Sequence, residues 1–187
     1  MLRFFLCILS LLLLSSCGGN RALKIEQRSS EADGAFAFNA RVAVRHEGER
    51  SSAGMRWVHG AGEDEILLLG PLGGVAARIR SNAQGVTLDA EGKHYAAQDV
   101  EVLTHRVLGW ELPLSGLRYW VMAVPAEGRV AEVRRESNGQ VGDLYQDGWR
   151  IHYSRYAGTA ADSLPLRFVL QRDNLEIMVL IDEWEKQ

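Results

Sequence analysis

From Ala35 onward, the apolar residues of this chain recur at every second position. Phe36, Phe38, Ala40, Val42 and Val44 alternate with residues that include Asn39, Arg41 and Arg45. Near the other end, Leu164, Leu166, Phe168 and Leu170 alternate, then Leu175, Ile177, Val179 and Ile181. Successive side chains of a strand point to opposite faces, so this period predicts half-buried strands. Shorter stretches read the same way: Ala53 to Trp57, Ile66 to Leu69, Val75 to Ile79, Val86 to Ala90, the surroundings of Tyr95, Val130 to Arg134, Val141 to Tyr145, and Trp149 to Tyr153. Asp147-Gly148 and Asp173-Asn174 are hairpin turns. About eleven strands so connected make a large antiparallel sheet with an apolar face to bury.

The period becomes helical twice. Asp99 can cap a helix carrying Val100, Leu103, Val107 and Leu108 on one stripe, with Gly109 as its stop. Ser115 can cap a second, with Leu117, Tyr119, Trp120, Val121 and Val124 before Pro125 ends it. Curling the sheet around these helices buries its apolar face. Sparse Leu23, Ile25 and Ala32 suggest a further helix before the first strand.

The first residues are a leader. Arg3 precedes an apolar run from Phe4 to Leu14, and Leu14-Ser15-Ser16-Cys17 follows. The run is short for a membrane span and ends in small residues, as an export signal does. Leucine at −3, small residues at −2 and −1, and cysteine at +1 make a bacterial lipobox. Its chemistry is diacylglyceryl transfer to the Cys17 thiol, cleavage before it, and acylation of the new amine. Several acyl chains give stable anchoring without a span. Gly18, rather than aspartate, follows Cys17. By analogy with lipoprotein sorting, this expects an outer-membrane address on the periplasmic face. The organisation is then a signal peptide over 1–16, a lipidated tether with an N-terminal helix over 17–34, and one domain over 35–187.

Cys7 leaves with the leader and Cys17 takes lipid, so no thiol remains for a disulfide or a cysteine metal site. Twenty-one basic residues stand against 24 acidic ones, a net charge of −3. That argues against a nucleic-acid binder. The five histidines are not at metal-ligand spacing, and no serine sits in a nucleophile elbow. Glu63-Asp64-Glu65 reads as a solvated loop before a strand. The glycines at 70, 73 and 74 do not make a phosphate loop, because Pro71 removes a donor and no Lys-Ser/Thr pair follows. No enzyme, metal or cofactor is expected.

The large side chains are more suggestive. Trp57, Trp110, Trp120, Trp149 and Trp184, with Tyr119 and Tyr153, either fill the core or line a cavity, since curled sheets of this size can hold ligands. Alternation and aromatic content select Phe36, Phe38, Met55, Trp57, Leu67, Leu69, Trp120 and Trp149 as candidate lining, although the pattern alone leaves the inward face of each strand open. Leu112, Leu114 and Leu117 are candidates for a lid. Leu72 stands at the centre of Gly70-Pro71-Leu72-Gly73-Gly74, where solvent selects polar residues. Either its turn folds back over the core, or the leucine protrudes.

The series FNARVAV, LLLGPLGGVA, GWELPLSGLRYWV, YQDGWRIHYSRY, LPLRFVL and the terminal WEKQ resembles, in order and spacing, the LolB family of Gram-negative bacteria. Ala40 and Ala123 stand where that family commonly has glycine, and both are small. The resemblance implies a mainly β fold, an unclosed barrel of about eleven antiparallel strands with a helical lid over an apolar cavity. It implies a receptor, expected to be monomeric, that accepts triacylated lipoproteins from the periplasmic carrier LolA. The cargo then enters the inner leaflet of the outer membrane, so the partners are LolA, acylated cargo and phospholipid. It also implies that Leu72 protrudes and hands the cargo to the membrane. The competing expectation is a structural or assembly-accessory envelope lipoprotein with a filled core.

Overall fold

Eleven antiparallel strands form one sheet in the computed structural model, which describes residues 34–60 and 62–185. The leader, Cys17 and its tether, and the early helix lie outside the described residues. The strands are β1 (Phe36–His46), β2 (Glu49–Gly60), β3 (Glu63–Leu69), β4 (Val75–Asn82), β5 (Gly85–Ala90), β6 (Lys93–Ala97), β7 (Ala131–Arg135), β8 (Val141–Gln146), β9 (Trp149–Tyr156), β10 (Pro165–Arg172) and β11 (Leu175–Trp184). Two helices, α1 (Val100–Leu108) and α2 (Leu114–Trp120), fall between β6 and β7.

The spatial order is β6-β5-β4-β3-β2-β1-β11-β10-β9-β8-β7. The chain meanders outward from β1 to one free edge at β6. It then crosses through the helices to the other free edge at β7 and meanders back until β11 pairs with β1. The edges β6 and β7 do not pair, so the barrel is unclosed, as the resemblance implied. The helical crossing lies on the sheet's apolar face. Leu103, Leu114, Leu117 and Trp120 share one cluster with Phe38, Trp57, Ile79, Leu88, Ile151, Phe168 and Ile177.

Local chemistry accounts for most boundaries. Asp99 caps α1, its side chain accepting from the Val102 amide at 2.8 Å. Gly109 closes α1 in the left-handed region at φ +79°, its amide donating to the His105 carbonyl. Asp147 and Gly148 both have positive φ, as a type I′ hairpin requires.

Four expectations need correction. Ser115 lies inside α2, and Pro113 occupies its N-cap. That helix stops at Trp120 rather than at Pro125, because the chain turns through Ala123 at φ +56°. In β10, register shifts flank Arg167 and move the phase, so Pro165, Phe168 and Leu170 are buried while Leu164 and Leu166 are only partly so. The acidic triplet opens β3 instead of forming a loop.

Candidate functional site

Cross-strand register builds the interior. Phe38 pairs with Trp57, Phe36 with His59 and Ala40 with Met55, all on the inner face of β1 and β2. Phe36 meets Trp57 edge-on at 5.2 Å between ring centroids, and Phe38 meets Trp184 at 4.9 Å. Aromatic pairs favour such edge-to-face geometry. Across the interior, Trp120 of α2 lies 6.3 Å from Trp149 of β9. Arg172 covers Trp149, its guanidinium 4.6 Å from a ring centroid, and pairs with Glu111 in the connection between the helices.

Leu67 and Leu69 do not join this group. Register places Leu68 opposite Met55 and Ile66 opposite Trp57, so Leu67 and Leu69 face outward, opposite Arg56 and Gly54. A run of three leucines hides its own parity, which is why alternation could not choose between the faces. Leu112, Leu114 and Leu117 are all buried in the shared core.

Polar side chains hold α2 at its C-terminal end. Gln146 Oε1 accepts from Trp120 Nε1 at 2.9 Å and from the Ala126 amide at 2.7 Å, while its Nε2 donates to the Ala126 carbonyl at 2.9 Å. Tyr153 donates its hydroxyl to the Trp120 carbonyl at 2.7 Å. Gly116 makes this packing feasible, since a Cβ there would stand 2.5 Å from Trp120 Cζ2. Between the helices, Thr104 accepts from the Leu112 amide at 2.9 Å, and Ser115 donates to Glu101 at 3.2 Å. Burial pushes the Glu101 carboxyl above its usual range, against the hydrogen bonds from backbone and Ser115.

A buried polar cluster went unread in the sequence. Asp64 is 4% exposed, and its Oδ1 accepts from Trp57 Nε1 at 2.9 Å and lies 2.8 Å from His59 Nδ1. Arg118 of α2 is 3.9 Å from the other carboxylate oxygen. The available signal was parity: Asp64 shares that of Ile66, and His59 that of Trp57. Among the described residues, no three His, Cys, Asp or Glu side chains are grouped to hold a metal ion.

The β3–β4 turn contrasts with all of this. The Gly70 carbonyl accepts from the Gly73 amide, and the Gly74 carbonyl from the Gly70 amide, each at 2.9 Å. Pro71 sits where its fixed φ suits such a turn, and Gly73, at φ +80°, supplies the left-handed residue that closes it. Leu72 between them is 101% exposed, and Val75 beyond is 51% exposed.

Comparison with known proteins adds three findings. The family model described as outer membrane lipoprotein LolB matches residues 34–184. An outer-membrane lipoprotein LolB from Chromobacterium violaceum is 34% identical, covering 99% of this chain and 100% of its own length; one from Thiobacillus denitrificans is 40% identical over 81% of this chain and 80% of its own. A LolA superfamily protein from Nitrosomonas europaea shares the fold, with a TM-score of 0.52 at 8% identity, over 89% of this chain and 93% of its own.

Proposed function

The chain belongs to the LolB family of outer-membrane lipoproteins, and on that premise we propose that it receives triacylated lipoproteins from the carrier LolA and inserts them into the inner leaflet of the outer membrane. Cys17 is the lipid anchor. Chain geometry limits the residues between it and β1 to a reach of at most about 3.3–3.6 Å each. The anchor holds the domain at the membrane without choosing which end of the barrel meets it.

The chemistry of the cargo suits the interior. Each methylene moved from water into an apolar site gains about 0.8 kcal/mol, so acyl chains do not cross the periplasm bare. The inner face offers Phe36, Phe38, Met55, Trp57, Trp120 and Trp149. An interior of this kind recognises chain length and little else, which fits a cargo whose proteins differ and whose lipid is shared. Leu112, Leu114 and Leu117 form the roof that the chains must displace. No nucleotide drives this transfer, so it runs downhill from carrier to receptor to bilayer.

The observation that carries the reading is the full exposure of Leu72. Burying one leucine is worth about 1.5–3 kcal/mol. That is too little to recruit a protein from solution, but it suffices to orient one already tethered to the surface. Leu72 is the point at which the domain touches the bilayer during delivery.

Leu72→Glu tests this. In a transfer assay with loaded carrier and liposomes, the variant is expected to accept cargo normally and to deliver it at least about ten-fold more slowly, since a buried carboxylate reverses the leucine's gain. Normal delivery, or loss of folding, would refute the role of Leu72. Failure of the unaltered domain to take cargo from the carrier would favour an accessory envelope lipoprotein instead.

A further inference from the structure

The outward face of the barrel carries an apolar groove that begins at the Leu72 turn. Its volume is about 450 Å³, and Ala43, Gly54, Leu69, Pro71, Met178 and Leu180 contribute to its lining. The register explains its continuity. Leu69 stands opposite Gly54, Gly54 opposite Arg41, and Arg41 opposite Leu180; Ala43 stands opposite Met178. Gly54 leaves the floor open, and a Cβ there would crowd Leu69 at 3.3 Å. A strand face turned to water is ordinarily polar, so medium-sized apolar residues gathered across β1, β2, β3 and β11 are unusual there.

The charges around the groove have one dominant sign. Arg41, Arg45, Arg50 and Arg167 lie beside it on the outward face, with Asp182 and Glu176 as the neighbouring carboxylates. Arg41 pairs with Asp182 at 2.7 Å and Arg45 with Glu176 at 2.9 Å. Arg50 and Arg167 have no carboxylate partner among the described residues, and Arg167 instead lies 3.8 Å from the Met178 sulfur. An apolar strip flanked by surplus guanidinium groups matches the boundary of a phospholipid leaflet, where phosphates lie over acyl chains.

We infer that this groove is a second membrane-contact surface: it seats phospholipid acyl chains while Arg50 and Arg167 meet the phosphates. The inference rests on the proposed role of Leu72, because Pro71 and Leu69 make turn and groove one surface. A single leucine fixes a point of contact. Turn and groove together fix an orientation, with the outward face of β1, β2 and β11 laid against the leaflet.

The test uses the full lipidated chain in phosphatidylethanolamine–phosphatidylglycerol vesicles. With Cys17 acylated, a new cysteine is the sole free thiol of the mature chain, so a polarity-sensitive dye can be placed by Leu72→Cys, Met178→Cys or, as an outward-facing control on β5, Thr87→Cys. Quenchers carried on lipid chains are expected to quench the dye at 72 and 178 and spare it at 87. Quenching at 178 is expected to weaken in Arg50→Gln/Arg167→Gln or without phosphatidylglycerol. In parallel, Met178→Glu/Leu180→Glu, with Leu72 intact, is expected to slow delivery several-fold and leave cargo acceptance unchanged. If the dye at 72 is quenched and the dye at 178 is not, the groove assignment falls and the Leu72 reading stands. If neither is quenched, both fall. Equal quenching at all three positions, or a response at 178 to the carrier alone, overturns the groove as a lipid surface.

Discussion

Leu68 and Leu72 lie in one hairpin and meet opposite conditions. Leu68 faces Met55 and packs against the core, whereas Leu72 projects wholly into solvent. The difference lies in the backbone. Within β3 the pleat assigns each side chain to a face, and the inner face is completed by strands and helices. In the turn, Pro71 and Gly73 shape a loop with no packing partner for Leu72. Interior apolar residues hold the fold, while the turn leucine contributes nothing visible to it. Stability and delivery are therefore separable, and substitution in each region should read out differently.

The hardest test is in the interior. Phe38 is fully buried between Trp57 and Trp184. Phe38→Ala is expected to cost about 3–5 kcal/mol, as large aromatic truncations do. That is a large share of the 5–15 kcal/mol typical of a domain. Leu72→Glu is expected to stay within about 0.5 kcal/mol of the parent in the same denaturant titration. Comparable losses in the two variants would abolish the distinction between the regions.

A middle-sized effect is expected where the roof meets the wall. Gly116→Ala gains helix propensity, worth about 1 kcal/mol. The new methyl, however, meets the Trp120 ring, which the hydrogen bond to Gln146 keeps in place. Displacing the ring strains that bond and overpacks the cluster, so a net loss of about 1–3 kcal/mol is expected. Thermal unfolding measures it, and a stabilised variant would mean that α2 lies loosely on the sheet.

Much of this was legible in the sequence, for a physical reason. Phe36 to Val44 and Leu175 to Ile181 alternate because each strand has one dry and one wet face, and the structure follows that phase. Legibility failed where both faces are apolar or where a bulge resets the count. Leu67 and Leu69 lie on the outer face because β3 is leucine on both sides, and the register shifts around Arg167 moved Leu164 and Leu166 off the predicted stripe. Composition misled at Asp64, whose acidic neighbours suggested solvent although Trp57 and His59 satisfy it in the interior. Ser115 has the chemistry of a cap, but it reaches across to Glu101 instead of starting its own helix.

The smallest expected effect lies at the junction of α1 and α2, where Glu101 is only partly buried. Burial raises the Glu101 carboxyl in the folded state, so the native fold binds that proton more tightly than the unfolded chain does. The resulting stabilisation is fully present below the ordinary glutamate value of about 4.3 and is lost as pH rises through the raised one. At pH 7 the ionised carboxylate is held between the helices at a cost. Glu101→Gln removes the charge and keeps an oxygen to accept from Ser115. The variant should therefore be slightly more stable than the parent at pH 7, by under about 1 kcal/mol given solvent screening, and should lose that advantage near pH 4. Thermal unfolding at the two pH values gives the sign. An advantage that persisted at pH 4 would trace to packing rather than charge, and would make the junction as settled as the rest of the interior.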